Sequence, residues 1–124
     1  MQTQRQFNMT GALVAEPTQS GGRRTSLMLG FCALYQQCDE AAVRVTGTGP
    51  SPYVVPLVSI TKVRLFALKI LSGSPIVLIL TSASGVARVP VSSQIFFNHP
   101  SGDAFTGIEI EGTAEIEYML AGEA

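Results

Sequence analysis

Four glutamates near the C-terminus are the residues whose type and spacing could do chemistry. Glu109 and Glu111 alternate with isoleucines, and Glu115 and Glu117 flank Ile116 in the same way. Because side chains alternate between the two faces of a strand, the four carboxylates are predicted to share one face. Such a face could meet solvent, pair with arginines of an adjacent strand, receive a basic surface of another subunit, or hold a hard cation such as Ca²⁺.

The turn between these two segments can be tested against the same alternation. A three-residue turn at residues 111–113 would pair Ile110 with Ala114 and keep the glutamates together on one face. A two-residue turn at residues 112–113 would instead set Glu115 opposite Ile110 and place charge on the apolar face. If the two segments are hairpin partners, the pattern therefore predicts the three-residue turn.

Other residues with catalytic potential lack the partners that catalysis requires. His99 is the only histidine and lies between Asn98 and Pro100, in a segment typical of a loop. No Gly-x-Ser-x-Gly nucleophile elbow is present, and no tryptophan is available to line a sugar subsite beside a carboxylate pair. Gly47 and Gly49 lack the rest of a phosphate-binding motif. The sequence therefore predicts no enzyme, no cofactor, and no catalytic or metal-binding residue.

The two cysteines do not form a metal-binding pattern. Cys32 and Cys38 are separated by five residues, and no second cysteine pair exists to complete a zinc site. A disulfide closing this short loop is sterically possible. The N-terminal residues show no apolar signal region, so reduced thiols are favoured.

The composition indicates a single domain that associates with other proteins. Of its 124 residues only 14% are charged, against about 25% in an average protein, and the formal net charge is -1. A surface with so few charges gives little protection against self-association, which predicts a homo-oligomer such as a dimer or trimer, or coverage by a larger assembly. The alternative is a monomer with a hydroxyl- and glycine-rich surface. The near-neutral balance argues against direct nucleic-acid binding, and charged residues interrupt the apolar residues 54–80, which argues against a membrane span.

Two apolar segments are expected to form the centre of the fold. Residues 62–71 and 76–81 are rich in β-branched and long apolar side chains, and the Ser-Gly-Ser-Pro linker between them favours a chain reversal, so a strand pair is predicted. The unbroken apolar run from Ile76 to Leu80 predicts burial on both faces. Shorter strands separated by turn residues are predicted at residues 41–46, 53–60, 86–91 and 94–97, and residues 27–35 fit a strand or a short helix.

These elements predict an all-β fold. The favoured architecture is an antiparallel β-sandwich, of jelly-roll type, that spans residues 27–124 as a single domain. Residues 1–26 are polar apart from one apolar patch and are predicted to form an extended N-terminal arm that contributes at most one strand. In an assembly such an arm would reach across a neighbouring subunit.

Three segments of the second half carry a resemblance to known proteins. They are Val-Arg-Leu-Phe-Ala at 63–67, Ile-Val-Leu-Ile-Leu-Thr-Ser at 76–82, and Ile-Glu-Tyr-Met-Leu-Ala-Gly-Glu at 116–123. In these segments the chain resembles small accessory virion proteins of tailed double-stranded DNA bacteriophages. The resemblance implies a structural protein of the virion, assembled in the host cytoplasm, that cements or decorates the capsid by contact with the major capsid protein. A position at the tail or portal, in contact with other virion proteins, is the alternative within this class. The resemblance identifies no site residues in this sequence.

A function of a different class is kept as the alternative. A small carbohydrate- or peptide-binding β-sandwich module would use polar loops at one end of the domain as its site. Binding of a glycan or peptide by the isolated monomer would favour this alternative, whereas partnership with a capsid protein would favour the structural role.

Overall fold

The computed structural model describes residues 5–15, 21–35 and 37–124. Within these ranges there is no helix, and every strand pair is antiparallel. The strands are β1 (Arg5–Ala15), β2 (Thr25–Tyr35), β3 (Gln37–Gly47), β4 (Tyr53–Val54), β5 (Lys62–Gly73), β6 (Ile76–Ser82), β7 (Gly85–Val91), β8 (Gln94–Asn98) and β9 (Phe105–Glu123). The predicted all-β, antiparallel fold class is confirmed.

Strand β9 is the centre of a seven-stranded sheet. Ile116 pairs with Ile70 of β5 and also with Val43 of β3, so these two strands lie on opposite edges of β9. Ile110, farther towards the N-terminal end of β9, pairs with β6 and β4 in the same manner. The free edge of β6 pairs with β7, and that of β5 pairs with β8. A single 19-residue strand thus organises the whole sheet.

The sheet bends along one line, which β9 crosses and at which each of the other strands begins or ends. Regular pairing is interrupted at residues 48–52, 74–75 and 92–93, and β9 passes the same line with Gly112 at a φ of 129°. Interruptions of this kind let a strand bend sharply. They divide the sheet into a first half-sheet, formed by β3, β5, β8 and the C-terminal part of β9, and a second half-sheet, formed by β4, β6, β7 and the N-terminal part of β9.

The inner faces of the two half-sheets meet in one hydrophobic core. The ring of Phe66, which is fully buried, lies 6.1 Å from that of Tyr118 and 5.7 Å from that of Phe97. The buried members of the core are Val45, Val55, Ile60, Val63, Phe66, Leu68, Ile76, Leu78, Leu80, Val91, Ile108, Ile110, Ala114, Ile116, Tyr118 and Leu120. Two packed layers from one curled sheet give a sandwich-like fold. The jelly-roll connectivity stays a prediction.

The predicted hairpin in the C-terminal region is wrong. Strand β9 continues through Gly112 and Thr113 without reversing. Residues 110 and 114 lie on the same face of a continuous strand, as they also would on the two sides of a three-residue turn. The alternation therefore could not distinguish a reversal from a continuous strand.

The predicted pairing of residues 62–71 with residues 76–81 is also wrong. Strands β5 and β6 follow one another along the same edge of β9 and do not pair with each other. The linker bends the chain without reversing it. The predicted burial of β6 on both faces is confirmed, because Leu78 faces the core and Ile79, on the opposite face, is also buried.

Candidate docking site

Strands β1 and β2 form a separate two-stranded sheet, here called the arm. In their register Leu13 pairs with Leu27, Gly11 with Leu29, and Arg5 with Tyr35. Directly paired residues project to the same side of an antiparallel ladder, so the odd-numbered residues of both strands define one side of the arm. This side is called the apolar face, and its described side chains include Phe7, Met9, Leu13, Leu27, Leu29 and Tyr35.

The base of the arm is fixed to the outer side of the first half-sheet. Phe7 is buried against Leu65 and Ala121, and its ring centroid lies 6.1 Å from that of Tyr35. The Tyr35 hydroxyl donates a hydrogen bond of 2.8 Å to Oδ1 of Asn98. Burial raises the pKa of the Tyr35 phenol above its ordinary value of 10.0. Packing and a hydrogen bond therefore hold this end of the arm in place.

A β-bulge in β5 creates the surface on which the arm rests. The register shifts between Val63 and Leu65, so Arg64 is the extra residue and Leu65 faces outwards to the arm. Arg64 itself is buried, and its Nη1 donates a 2.6 Å hydrogen bond to the carbonyl oxygen of Gly102. Its Nη2 lies 3.4 Å from Oε2 of Glu123. At this point, therefore, the bulge gives β5 buried side chains on both faces of the sheet.

The distal part of the apolar face is exposed. Leu13, Leu27 and Leu29 are 66%, 57% and 42% exposed, and Met28 on the opposite side of the arm is 76% exposed. An isolated two-stranded ribbon is marginally stable in water, and contiguous exposed apolar residues are typical of interaction surfaces. The distal arm is therefore the strongest candidate for a docking surface in the described part of the chain.

An open groove lies beside the arm on the outer side of the first half-sheet and is called the outer groove. It has a volume of about 780 Å³. Met9 of the arm lines one end, and β3, β5, β8 and β9 supply the rest. The outward-facing residues that line it are apolar at Ala42, Ala67, Phe96 and Met119 and polar at Glu40, Lys69, Gln94 and Glu117. Its size and mixed lining suit an extended apolar segment with charged flanks.

The alternation correctly places four glutamates on one face of β9, opposite the core: Glu109, Glu111, Glu115 and Glu117. Arg44 of β3 lies opposite Glu115, with 3.7 Å between Nη1 and Oε1. Arg88 of β7 donates to both carboxylate oxygens of Glu111, at 3.0 and 2.7 Å. Arg44 on an adjacent strand, one of the alternatives from the sequence, and Arg88 on β7, which β6 separates from β9, thus offset two of the four charges. In the described part of the chain Glu109 and Glu117 make no ion pair.

The Arg88–Glu111 pair should make stability depend on acid pH. The hydrogen bonds from Arg88 lower the pKa of Glu111 below its ordinary value of 4.5. A carboxylate with a lowered folded-state pKa contributes stability above its unfolded pKa and loses it as the pH falls through the folded pKa. Thermal unfolding from pH 6 to pH 2.5 should therefore show a shallower acid loss of stability for Glu111→Gln than for the wild type.

The control for this measurement is Arg88→Gln, which removes both hydrogen bonds to Glu111 and leaves the carboxylate in place. Its acid profile should be as shallow as that of Glu111→Gln. Parallel curves for Glu111→Gln and the wild type would show that the ion pair contributes nothing to the acid profile.

The remaining residues with chemical potential do not assemble into a site. The His99 ring is exposed and lies edge-on to Phe97 and Phe105, at 5.6 Å from each. Cys32 on the arm and Cys38 on β3 are free thiols. Within residues 5–15, 21–35 and 37–124 there is no group of three or more His, Cys, Asp or Glu side chains that could hold a metal ion.

Sequence reasoning missed the second strand of the arm and the outer groove. It assigned residues 27–35 to the main domain and extended the arm only to residue 26, whereas β2 pairs with β1 alone. Neither feature had a local signal. Met28, Cys32 and Leu34 at even positions are apolar like the odd positions from 27 to 35, so β2 shows no period-two alternation. Four strands distant in sequence contribute to the groove.

Comparisons with protein-family models, curated proteins and solved structures found no match for this chain. Among the described residues, no helix is long and apolar enough to cross a membrane.

Proposed function

We propose that this protein is a non-enzymatic structural subunit of a virus particle that cements or decorates the capsid shell. The exposed distal apolar face of the arm is the observation that carries the proposal. Each strand of the arm has 11 residues and, at about 3.3 Å per residue, reaches roughly 36 Å. An apolar ribbon of that length is stabilised when another protein covers it.

The arrangement of the molecule supports assembly through surface contacts. The curled sheet forms a compact body with its own core, and the arm is attached to this body through the contacts of Phe7 and Tyr35. The body fixes the base of the arm, and the distal part remains available to a partner. Repeated in many copies, contacts of this kind add stability to a shell without any chemical step.

Particle composition tests the proposed role directly. In virus particles from the source, purified by density gradient and washed in high salt, the protein should be present in many copies per particle. Particles that lack it should lose their genome at a lower temperature, because the contacts that it adds to the shell are missing. Absence of the protein from purified particles would contradict the proposal.

The mass of the isolated protein gives a second prediction. Light scattering behind a sizing column, over a range of concentrations, should show a discrete oligomer or a mass that rises with concentration. The physical reason is that 14% charged residues and the exposed arm give little resistance to association. A mass of one chain at every concentration would remove this support.

A second candidate function is favoured by one observation. The outer groove, with its apolar floor and charged rim, is a suitable site for a carbohydrate- or peptide-binding module. If the wild type is a stable monomer and binds an extended peptide or a glycan through this groove, that result would favour the binding function over the structural role.

A further inference from the structure

We propose that the distal apolar face of the arm of one copy docks in the outer groove of a second copy, and that the second copy returns the same contact. The result is a dimer with two-fold symmetry, held by two identical arm-to-groove contacts. This inference rests on the proposed structural role and names the partner that covers the arm. The occupant of the groove is thus a segment of this same chain.

The contact within one copy shows which surface suits the apolar face. Phe7, at the base of the arm, packs on the outer side of the first half-sheet against Leu65 and Ala121. Met9, the next residue on that side of β1, lines one end of the outer groove. The exposed Leu27 and Leu29 continue the same face beyond the body of their own copy. The outer groove of another copy offers them the same kind of surface.

The charges at the two ends of the contact are complementary. The described residues at the tip of the arm carry Arg23 and Arg24, both exposed. The outer groove carries Glu40, Glu117 and Lys69 on its rim, a net charge of -1. Glu40 lies 4.0 Å from Nη1 of Arg5, and Glu117 has no ion pair within the described part of the chain. Opposite charges favour encounter and correct orientation more than affinity. The apolar residues therefore supply the affinity, and the arginines orient the arm in the groove.

The area of the contact favours reciprocal docking. If roughly the outer two thirds of the arm docks, about 24 Å of a ribbon about 10 Å wide is covered, which is about 240 Å² for each contacting face. A reciprocal dimer has two arm faces and two groove faces and buries about 1,000 Å², near the lower limit for a specific interface. One-sided docking would bury half of that area, which predicts a weaker complex.

Complementation between two defective variants tests the inference. The arm variant Leu27→Ser/Leu29→Ser changes the apolar face, and the groove variant Ala42→Lys fills the groove and neutralises its rim beside Glu117. Sedimentation equilibrium should show a wild-type dimer and, for each variant alone, dimer affinity weaker by about 100-fold or more. An equimolar mixture should form a heterodimer of intermediate affinity, since one intact arm still meets one intact groove.

The control is Met28→Ser/Leu34→Ser, which removes two exposed apolar side chains from the opposite side of the same strand. It should dimerise like the wild type. Circular dichroism spectra of all variants should match the wild-type spectrum, because every changed side chain is exposed.

Three outcomes would overturn the inference: a monomeric wild type, an arm variant that dimerises normally, or a mixture no more associated than its components. If the wild type is a monomer that binds purified shells, the arm docks on a shell protein. If it is a monomer that binds peptides, the groove is a peptide-binding site. The mixing result is independent of particle composition. If the protein copurifies with particles but the variants do not complement each other, the structural role stands and the dimer is excluded. If the variants complement each other but the protein is absent from particles, the dimer stands and the structural role is excluded.

Discussion

Replacing Gly122 with alanine should lower the free energy of unfolding by about 3 kcal/mol or more, a large fraction of the stability of a small domain. Gly122 is buried where β9 passes the bulge of β5. A Cβ at this position would overlap the carbonyl oxygen of Lys62 and lie 2.9 Å from its carbonyl carbon and 3.1 Å from the backbone nitrogen of Arg64. The obstructing atoms are backbone atoms in a paired strand, so they cannot move aside without breaking the pairing.

Equilibrium urea denaturation is the appropriate measurement, with Gly49→Ala as the control. A Cβ at Gly49 would have no heavy atom within 4 Å, so this variant should unfold at the wild-type midpoint or slightly above it. Equal midpoints for the Gly122 and Gly49 variants would show that the close approach between β9 and the bulge is not a packing constraint.

Replacing Leu78 with alanine should cost about 2–5 kcal/mol of unfolding free energy, the usual range for a fully buried leucine. Leu78 is 0% exposed and lies in the core on β6, where it pairs with Ile110 of β9. The loss combines the removed apolar contacts with a cavity that the curled sheet cannot close, because both half-sheets are held by β9. Differential scanning calorimetry should show a correspondingly large fall in Tm.

Leu71→Ala provides a matched control for the leucine at position 78. Leu71 lies on β5, one strand earlier, and is 50% exposed. The same chemical change at this position should cost well under half as much, because less apolar surface returns to water and no cavity forms. Similar losses for both leucines would mean that the face of β6 that contacts the core does not carry the stability of the fold.

Strands β6 and β9 show how far the sequence predicts this fold. The unbroken apolar run of β6 was sufficient to predict a strand covered on both faces, since a run of that length and composition fits no other element well. The alternation of isoleucine and glutamate in β9 was sufficient to predict which side faces the core. Both are local patterns, and the alternating geometry of a strand converts each directly into burial.

The partners of these strands could not be predicted in the same way. Whether β9 reverses at Gly112 does not change the phase of its alternation, and whether β5 pairs with β6 does not change the composition of either strand. Each choice depends on the 19-residue length over which β9 stays extended and on what packs beside it. Strand pairing is decided by such cross-strand and same-face neighbours, which are distant in sequence.

The sequence by itself determined that this chain is an all-β protein with few charges, an apolar strand buried on both faces and an acidic face on its last strand. The tertiary structure decided that the last strand is the centre of the sheet, that residues 25–35 complete an arm, and that the arm lies beside an open groove. The physical reason is that burial and alternation are properties of single segments. The arm, the groove and the close approach at Gly122 exist only where segments far apart in the chain meet.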